Sequence, residues 1–295
     1  MKKISRIIFG TFLVLALGLL CFSSNICADD ATGNVSIENS PPTIGTVTLL
    51  NQVATDEAIT LAVGSTVTVT ASATVTDLNG GSTISSASAT LYHSTSTSDG
   101  SDDENIHITN SSCTLGTADE TNNRSVTCSF AMNYMTLPGT WTVNITAVDD
   151  NGSQVSGTDD NTVNELAGLE VVETNVNFGS LQLGEKSSTG TAMTIRSMGN
   201  IAIDARYKGT NYTCTVGTIP VENTKYGLAN VAYDSLDYAL TEGYVTMDEF
   251  NLGIRGVATN NGNNSEDTAY WGIQIPTSGV SGTCLNTLTV TAISN

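Results

Sequence analysis

The sequence is poor in positive charge. It contains 10 lysines and arginines against 29 aspartates and glutamates, and charged residues make up only 13% of the 295 positions. A nucleic-acid interface or a contact with anionic membranes needs clustered Lys and Arg, so the composition argues against both kinds of partner. The acidic surplus instead suits a soluble exported protein or one that binds cations.

Histidine is equally scarce, with two residues, His93 and His107. No zinc-protease, nucleophile-elbow, P-loop or dinucleotide-binding motif occurs. His107 stands between two isoleucines in an expected strand, and we expect it to face solvent. A hydrolase built from two carboxylates leaves no local motif; its candidates, interpreted as solvated loop acids, are Asp234, Asp237, Asp248 and Glu249. The sequence therefore predicts a protein without catalytic activity.

Long apolar runs are also missing, except at the N-terminus. A start with three cations precedes an apolar run over residues 7–21, and a small residue, Ala28, precedes an acidic pair. This order is typical of a secretory signal, which we assign to residues 1–28 with cleavage after Ala28. The main alternative is a retained signal anchor, and the other is pilin-like cleavage after Gly10. After cleavage the chain would contain no membrane span.

Removal of the signal sharpens the charge imbalance. Three of the 10 basic residues leave with it, so 7 basic residues face 29 acidic ones and the net charge becomes −22. The imbalance is uneven, because residues 29–165 carry 17 acids and one base (−16), whereas residues 166–295 carry 12 acids and 6 bases (−6).

Cysteine is sparse, and two of the 6 residues lie in the signal. The other four, which allow three pairings, are Cys113, Cys128, Cys214 and Cys284. Their spacing does not fit a zinc site. It favours one disulfide in each half, 113–128 and 214–284, and export favours oxidation. In the chain-entropy model the short loop would contribute about 3 kcal/mol and the long one about 4 kcal/mol.

What the sequence does contain is strict alternation of apolar and polar residues. In residues 65–77, valine and alanine fall on one face and threonine and serine on the other, and residues 124–134 and 140–149 repeat the pattern. A period of two predicts half-buried strands. Turn signals arrive about every ten residues, which is typical of antiparallel sandwiches. We therefore predict an all-β fold with two tandem antiparallel β-sandwich domains after the signal peptide.

The predicted domains are bounded by prolines and a polar tract. Residues 29–40 form a flexible or extended arm, residues 41–165 an Ig-like β-sandwich, and residues 166–295 a second β-sandwich. The first has about seven strands, near 45–50, 59–62, 65–76, 84–92, 105–113, 124–134 and 140–149, and ends in the polar tract 156–165. In the second, strands are expected within 169–184, 191–197, 201–209, 212–216, 250–256, 269–275 and 284–293. Residues 226–240 are predicted as a loop with possible helical content.

Two families of exported modules resemble these segments. PPTIGTVTL, VTVTASATVTDLNG and GTWTVNITAVDDNG, arranged around a cysteine pair, resemble Ig-like sandwiches of the PKD or cadherin type from microbial surface proteins. NVNFGSLQLGEKSSTGTAMTIRSMGNIAIDARYKGTNYTC and the closing WGIQIPTSGVSGTCLNTLTVTAI resemble TasA- or WxL-like modules. Together the resemblances cover most of residues 41–295 and imply stalks, adhesins, envelope layers or filament subunits. Strand exchange would need a free donor strand, for which residues 34–50 are the candidate, although 41–50 also form the first strand of their own domain.

Calcium is the candidate cofactor. Hard cations need several oxygen ligands, and two acidic strand ends can meet at one pole of the first sandwich. The candidate ligands are Asp77, Asn79, Asp149 and Asp150. The alternative is that both strand ends are simple hairpin turns, for which Asn151-Gly152 is a strong signal. The acidic loop 99–104 lacks the glycine and glutamate of an EF-hand and is interpreted as a solvated loop.

The sequence suggests two roles for carbohydrate, as a glycan attached to the chain and as a bound ligand. Glycosylation sequons begin at Asn34, Asn110, Asn123, Asn144, Asn151, Asn211 and Asn263. Asn144 alternates with threonines opposite Trp141, so we expect it to face solvent as a glycan requires. The pair Tyr270-Trp271 sits in one strand, where one ring must face outward unless a neighbour covers it. It is either a sugar-binding platform or part of a core or interface.

These patterns predict a secreted, non-catalytic protein of the extracellular space or cell surface. Its function is structural or adhesive: an envelope component, a stalk or a subunit of an extracellular filament. The alternative is an extracellular module that binds carbohydrate or protein. The expected partners are copies of itself or other envelope proteins, with carbohydrate as a further candidate, and no nucleic acid.

Overall fold

The computed structural model describes residues 32–51, 53–55, 57–256 and 264–295. The predicted signal and the sequon at Asn263 lie outside these ranges. The chain divides into two compact units, Met1–Asn39 and Ser40–Asn295. The described residues form antiparallel sheets with three short 3-10 turns and no α-helix, which confirms the predicted all-β fold. No helix in the described ranges is long and apolar enough to cross a membrane.

The first half of the second unit is a sandwich of two antiparallel sheets. Its strands are β1 (Thr43–Ile44), β2 (Thr48–Leu50), β3 (Thr66–Thr76), β4 (Ile84–His93), β5 (His107–Asn110), β6 (Thr114–Leu115), β7 (Asn123–Asn133), β8 (Gly139–Asp149) and β9 (Gln154–Val163). One sheet has the order β1-β3-β7-β6, with β2 also paired to β3, and the other has the order β5-β4-β8-β9. The long pair β3–β7 runs in register from Thr66↔Asn133 to Thr76↔Asn123.

Alternation places the apolar side chains of both sheets in one core. Phe130 on β7 is 1% exposed and Trp141 on β8 is fully buried. The indole Nε1 of Trp141 donates to the carbonyl oxygen of Leu137 at 2.8 Å, which satisfies its polar atom. Cys113 and Cys128 form a disulfide beside this core.

The polar tract 156–165 is where the expected architecture is wrong, because most of it belongs to β9. This strand pairs with β8 from Gly139↔Val163 to Val148↔Gln154. On its far side the Oδ2 atom of Asp159 accepts the backbone N–H of Leu49 at 2.7 Å, and Nδ2 of Asn161 donates to the carbonyl of Leu49 at 3.1 Å. Polar side chains thus fasten this edge strand to β2, so its sequence reads as a loop although its backbone is a strand.

The prediction that His107 faces solvent is also wrong, since the residue is only 1% exposed. The loop before β5 folds back over it, placing Asp102 Oδ1 at 3.3 Å from His107 Nδ1. The imidazole ring also stacks on Tyr92, with 6.4 Å between ring centroids. Residues 59–62, expected as a strand, contribute only a single bridge, Ile59↔Val163.

The described residues of the second half form eleven strands. They are β10 (Leu169–Val171), β11 (Thr191–Ser197), β12 (Ile203–Gly209), β13 (Tyr212–Val216), β14 (Thr218–Ile219), β15 (Thr224–Gly227), β16 (Tyr238–Ala239), β17 (Val245–Leu252), β18 (Glu266–Ile273), β19 (Ser281–Leu285) and β20 (Leu288–Ser294). One sheet has the order β10-β11-β18-β15-β16. Facing strands form β17-β12-β20 and, continuing beyond β12 and β20, β14-β13-β19. An aromatic core fills the space between them, formed by Tyr207, Tyr226, Phe250 and Trp271.

Two segments of this half differ from expectation. Residues 169–184 were predicted to be largely strand, but only β10 is one. Residues 226–240 contain the end of β15, a 3-10 turn at Tyr233–Ser235 and then β16, so the helical content is a single turn.

The two halves are joined by a buried polar contact around Gly199-Asn200. The side chain of Asn200 is fully buried, and its Oδ1 accepts the backbone N–H of Leu166 at 2.6 Å. A Cβ on Gly199 would lie 2.0 Å from the Leu166 carbonyl oxygen, so only glycine allows this approach. The 199–200 dipeptide therefore holds the segment after β9 against the second half of the molecule.

Candidate functional site

The most distinctive feature of the second half is an unpaired sheet edge. β20 pairs with β12 from Ile203↔Ser294 to Gly209↔Leu288, and no further strand of the described residues pairs with its other side. In an antiparallel ladder alternate N–H and C=O groups point away from the partner. β20 therefore offers a row of backbone donors and acceptors to an incoming strand.

A groove with apolar walls runs along this edge. The inward side chains of β20 are Leu288, Val290 and Ala292, which are half-buried and belong to the same apolar cluster as Leu169 and Val171 of β10. The groove opens into a cavity of about 1050 Å³ whose walls include Met193, Trp271 and Leu288. This volume is that of a cleft open to solvent and falls at the upper end of the range for ligand-sized surface pockets, about 300–1,000 Å³.

One segment lies across the groove without pairing to it. The strap segment, residues 173–181, makes no backbone–backbone hydrogen bond with the described part of the chain. Its Val176 and Phe178 pack on the same apolar cluster as Val290. The strap contacts the apolar cluster through Val176 and Phe178. Its Asn177 carbonyl accepts a hydrogen bond from Thr191 Oγ1 at 3.4 Å, and the β20 ladder is left unused.

The far end of the groove is held by the second disulfide. Cys214 and Cys284 are directly opposite on β13 and β19, and they are bonded. Nearby, the Tyr212 hydroxyl and the Thr224 hydroxyl are 3.0 Å apart. Burial raises the pKa of the Tyr212 phenol, so it stays neutral and serves as a hydrogen-bonding group.

The floor of the groove contains an indole without a partner. Trp271 is 1% exposed, and its Nε1 has no hydrogen-bond acceptor within the described ranges. A buried donor left unpaired is costly. The Nε1 atom is enclosed, so an incoming peptide does not reach it. The open ladder of β20 and the apolar side chains beside it mark this surface as suited to an extended peptide with apolar side chains.

The arm before the first sandwich has the pattern of such a peptide. Val35 and Ile37 are 81% and 82% exposed, and they alternate with Asn34, Ser36 and Glu38. Of the predicted donor region 34–50, residues 43–44 and 48–50 are used by β1 and β2. The stretch that lies outside any strand is therefore 34–42.

The predicted calcium ligands lie at one pole, but as parts of tight turns. Asp77 Oδ1 accepts the N–H of Asn79 at 2.8 Å. Asp149 Oδ1 accepts the N–H groups of Asn151 and Ser153 at 2.9 and 2.8 Å. The turns touch where the Asp150 N–H donates to the carbonyl of Thr83. The described residues contain no cluster of three His, Cys, Asp or Glu that could hold a metal; calcium stays a prediction.

The sequons differ in accessibility. Asn34, Asn151 and Asn211 are exposed, whereas Asn110, Asn123 and Asn144 are half-buried. Asn144 lies on the outer face of β8, opposite the buried Val143 and Ile145. It is half-buried there, and its Oδ1 has no hydrogen-bond partner in the described part of the structure. Glycosylation stays a prediction.

The remaining candidates are engaged elsewhere. Trp271 belongs to the core and Tyr270 is half-buried, so this pair is not an exposed platform for a sugar. Of the four acids interpreted as solvated loop acids, Asp234 pairs with Lys186 at 2.5 Å. The interpretation is wrong for Asp248 and Glu249, which lie in β17, and Glu249 accepts a hydrogen bond from the Tyr238 hydroxyl.

Comparisons with known proteins give only distant likenesses. No protein-family model matches the chain, and no curated protein matches it. Among solved structures, carbohydrate-binding modules from the beta-sandwich superfamily match with 13% identity over 88% of this chain and 99% of theirs, at a TM-score of 0.25. The CsuC–CsuE complex of chaperone and tip adhesion subunit from Csu pili of Acinetobacter baumannii matches with 12% identity over 70% and 84%, at 0.33. The C-terminal domain of the Streptococcus agalactiae polypeptide BspA matches with 10% identity over 86% and 96%, at 0.24.

Proposed function

We propose that this protein is a secreted, non-catalytic structural subunit that assembles with copies of itself by adding the arm of one copy to β20 of the next. The observation that carries the proposal is that the molecule has both an unpaired strand edge and an exposed segment that could pair with it. β20 has an open ladder beside an apolar groove, and the arm has an exposed alternating Val35-x-Ile37 pair outside any strand.

The energetics favour such an addition. The arm would gain backbone hydrogen bonds along β20, as in other strand-addition complexes. Burying a valine or isoleucine side chain fully is worth about 1.5–3 kcal/mol, so Val35 and Ile37 would contribute substantially. The outward positions Asn34, Ser36 and Glu38 would remain in water.

The length of the chain favours exchange between copies over insertion into the same copy. The arm joins the first sandwich at Ser40, whose N–H donates to Asn79 Oδ1 at 2.6 Å, just beyond the end of β3. The start of β3 lies next to the second half, where the Gly64 N–H donates to the Met198 carbonyl at 3.2 Å. The intervening strand of eleven residues is about 36 Å long at roughly 3.3 Å per residue.

Ile37 cannot cover that distance within its own molecule. It lies three residues from Ser40, and an extended chain advances at most about 3.6 Å per residue, which places it within about 11 Å of Ser40. The groove lies in the second half, beyond the start of β3 at Thr66, whereas Ser40 lies near the opposite end of β3 at Thr76. The groove that receives Ile37 must therefore belong to another copy.

The experiment compares the secreted chain with two double variants of equal charge. In Val35→Asp/Ile37→Asp the apolar pair is lost, and in the control Asn34→Asp/Ser36→Asp only outward positions change. Size-exclusion chromatography and electron microscopy measure assembly. We expect assemblies for the wild type and the control, and monomers for the Val35/Ile37 variant. Monomers in all three, or assemblies in all three, would overturn the proposal.

A further inference from the structure

A compact basic cluster lies on the outer face of the sheet that ends in β20. We call Arg206, Lys208 and Tyr244 the basic cluster. The Arg206 guanidinium carbon and the Lys208 Nζ are each 4.5 Å from the centroid of the Tyr244 ring. The Tyr244 hydroxyl accepts a hydrogen bond from Thr291 Oγ1 at 3.2 Å, which anchors the ring to β20.

The two cations of this cluster have no acidic partner. Every ion pair of the described residues involves His107, Lys186 or Arg196. Arg206 and Lys208 are therefore like charges two positions apart on one face of β12, and the group that both contact is the Tyr244 ring. Arg206 Nε is also buried without a hydrogen-bond partner in the described ranges. In a sequence with 29 acidic residues and 10 basic ones, two unpaired cations side by side need a reason.

Their position relative to the open edge supplies one. Arg206 lies opposite Thr291 and Lys208 opposite Thr289 on β20. The two short threonine side chains and the Tyr244 hydroxyl, which bonds Thr291, lie between the cations and the edge. A strand added to β20 would lie two strand spacings, or about 9.6 Å, from β12. A glutamate on the added strand and a lysine or arginine on β12 can meet above the threonines, because their combined side-chain reach is about 10 Å.

We infer that the basic cluster receives Glu38 from the arm of a second copy, an inference that rests on the proposed strand addition. If Val35 and Ile37 point into the groove, the alternation of a strand places Glu38 on the opposite face, which is the face of Arg206 and Lys208. The arm 29–40 contains three acids and no base. The partner class is therefore an extended acidic segment with an alternating apolar pair.

The contact fixes the register of the added strand. A shift by one residue would turn Val35 and Ile37 into water, and the apolar groove excludes it. A shift by two residues keeps them inward, and the groove alone discriminates against it only weakly. Glu38 would move by about 6.6 Å in such a shift and leave the cations, so the basic cluster selects one register.

The test uses a synthetic peptide of residues 29–40 and the full-length Val35→Asp/Ile37→Asp chain, whose own arm cannot compete. We call this chain the receptor. Calorimetry measures the affinity of the wild-type peptide and of a Glu38→Lys peptide for it. Each peptide is titrated into the receptor and into the receptor that also carries Arg206→Glu/Lys208→Glu. The matched control carries Lys186→Glu/Lys225→Glu, which reverses two cations beside Tyr233 on the other sheet.

We expect charge reversal on either side to weaken binding by about tenfold at low salt and reversal on both sides to restore most of it. The effect should shrink between about 50 mM and about 500 mM NaCl. The rescued pair also shows that the receptor variant is folded. If the peptide binds with an affinity that none of these changes alters, the basic cluster has no such role and strand addition stands. If no peptide binds any receptor, strand addition fails and this inference fails with it.

Discussion

The side chain of Asn200 donates from Nδ2 to the carbonyl oxygen of Thr136 at 3.0 Å, and this bond links the second half of the molecule to the first. The same Nδ2 also donates to the Asn164 carbonyl at 3.0 Å. With the Leu166 N–H held by Oδ1, one buried amide satisfies three backbone groups: one in the loop between β7 and β8, and two in the segment that follows β9.

Replacing this amide should be costly. In Asn200→Ala the carbonyls of Thr136 and Asn164 and the N–H of Leu166 lose their partner. Each unsatisfied buried group costs about 1–3 kcal/mol, and relaxation will recover part of that. We expect a loss of about 2–3 kcal/mol in the free energy of unfolding, measured by urea denaturation. Asn164→Ala is the control, since it keeps the carbonyl and should change stability by less than about 0.5 kcal/mol.

Asp149 allows the turn and the calcium site to be told apart. Its Oδ1 accepts two backbone N–H groups, so Asp149→Ala should destabilise the protein by about 2 kcal/mol, whereas Asp149→Asn keeps an acceptor and should cost less. If the residue only stabilises the turn, each protein, wild type or variant, will have the same melting temperature in calcium as in chelator. A rise with calcium that Asp149→Asn and Asp77→Asn abolish would instead establish the predicted metal site.

Asp204 should make stability depend on pH. It is 9% exposed, and its Oδ1 has no hydrogen-bond partner in the described part of the chain. Burial, and then the negative charge of Asp248, raise the pKa of its carboxyl group above the ordinary value. The folded state therefore binds this proton more tightly than the unfolded state does. Its contribution to stability is fully present below about pH 4, the unfolded pKa, and is lost as the pH rises through the raised folded pKa.

The Asp204→Asn variant should remove this loss. We expect a higher melting temperature than wild type at neutral pH, by about 2–4 °C for each kcal/mol gained, and little difference near pH 3. Melting curves across this range measure it. Asp248→Asn should shift the wild-type behaviour in the same direction by a smaller amount, because it removes only the second cause. A neutral-pH melting temperature for Asp204→Asn below that of wild type would contradict the assignment.

Much of the fold follows from residue patterns alone. The period of two located β3, β7 and β8 to within about two residues, because these strands each have one face in a core and one in water. β9 was not predicted as a strand, and the reason is physical. It is an edge strand whose polar side chains, such as Asp159, form hydrogen bonds with the backbone of a neighbouring strand and not with solvent. A pattern of polar residues carries no sign of that difference.

The candidate site was the part least accessible to sequence reasoning. An unpaired edge is a property of how strands are ordered, and the inward residues of β20 look like those of any half-buried strand. The arm could be found, since its position before the first sandwich and its Val35-x-Ile37 alternation are visible in the sequence. The cluster of Arg206 and Lys208 could not, because Thr291 and Tyr244, which complete it, come from distant parts of the chain.

The arm leaves from the end of β3 that lies farthest from the half containing the groove, and this has a consequence for growth. The two surfaces that would join are different, so the contact is heterologous: a reciprocal exchange of arms would close a two-fold dimer, whereas joining in one direction would build an open chain. A chain of such subunits is polar, with an unused arm at one terminus and an empty groove at the other. A copy without its arm could still accept a neighbour but could not dock onto one, so it would block elongation at a single terminus.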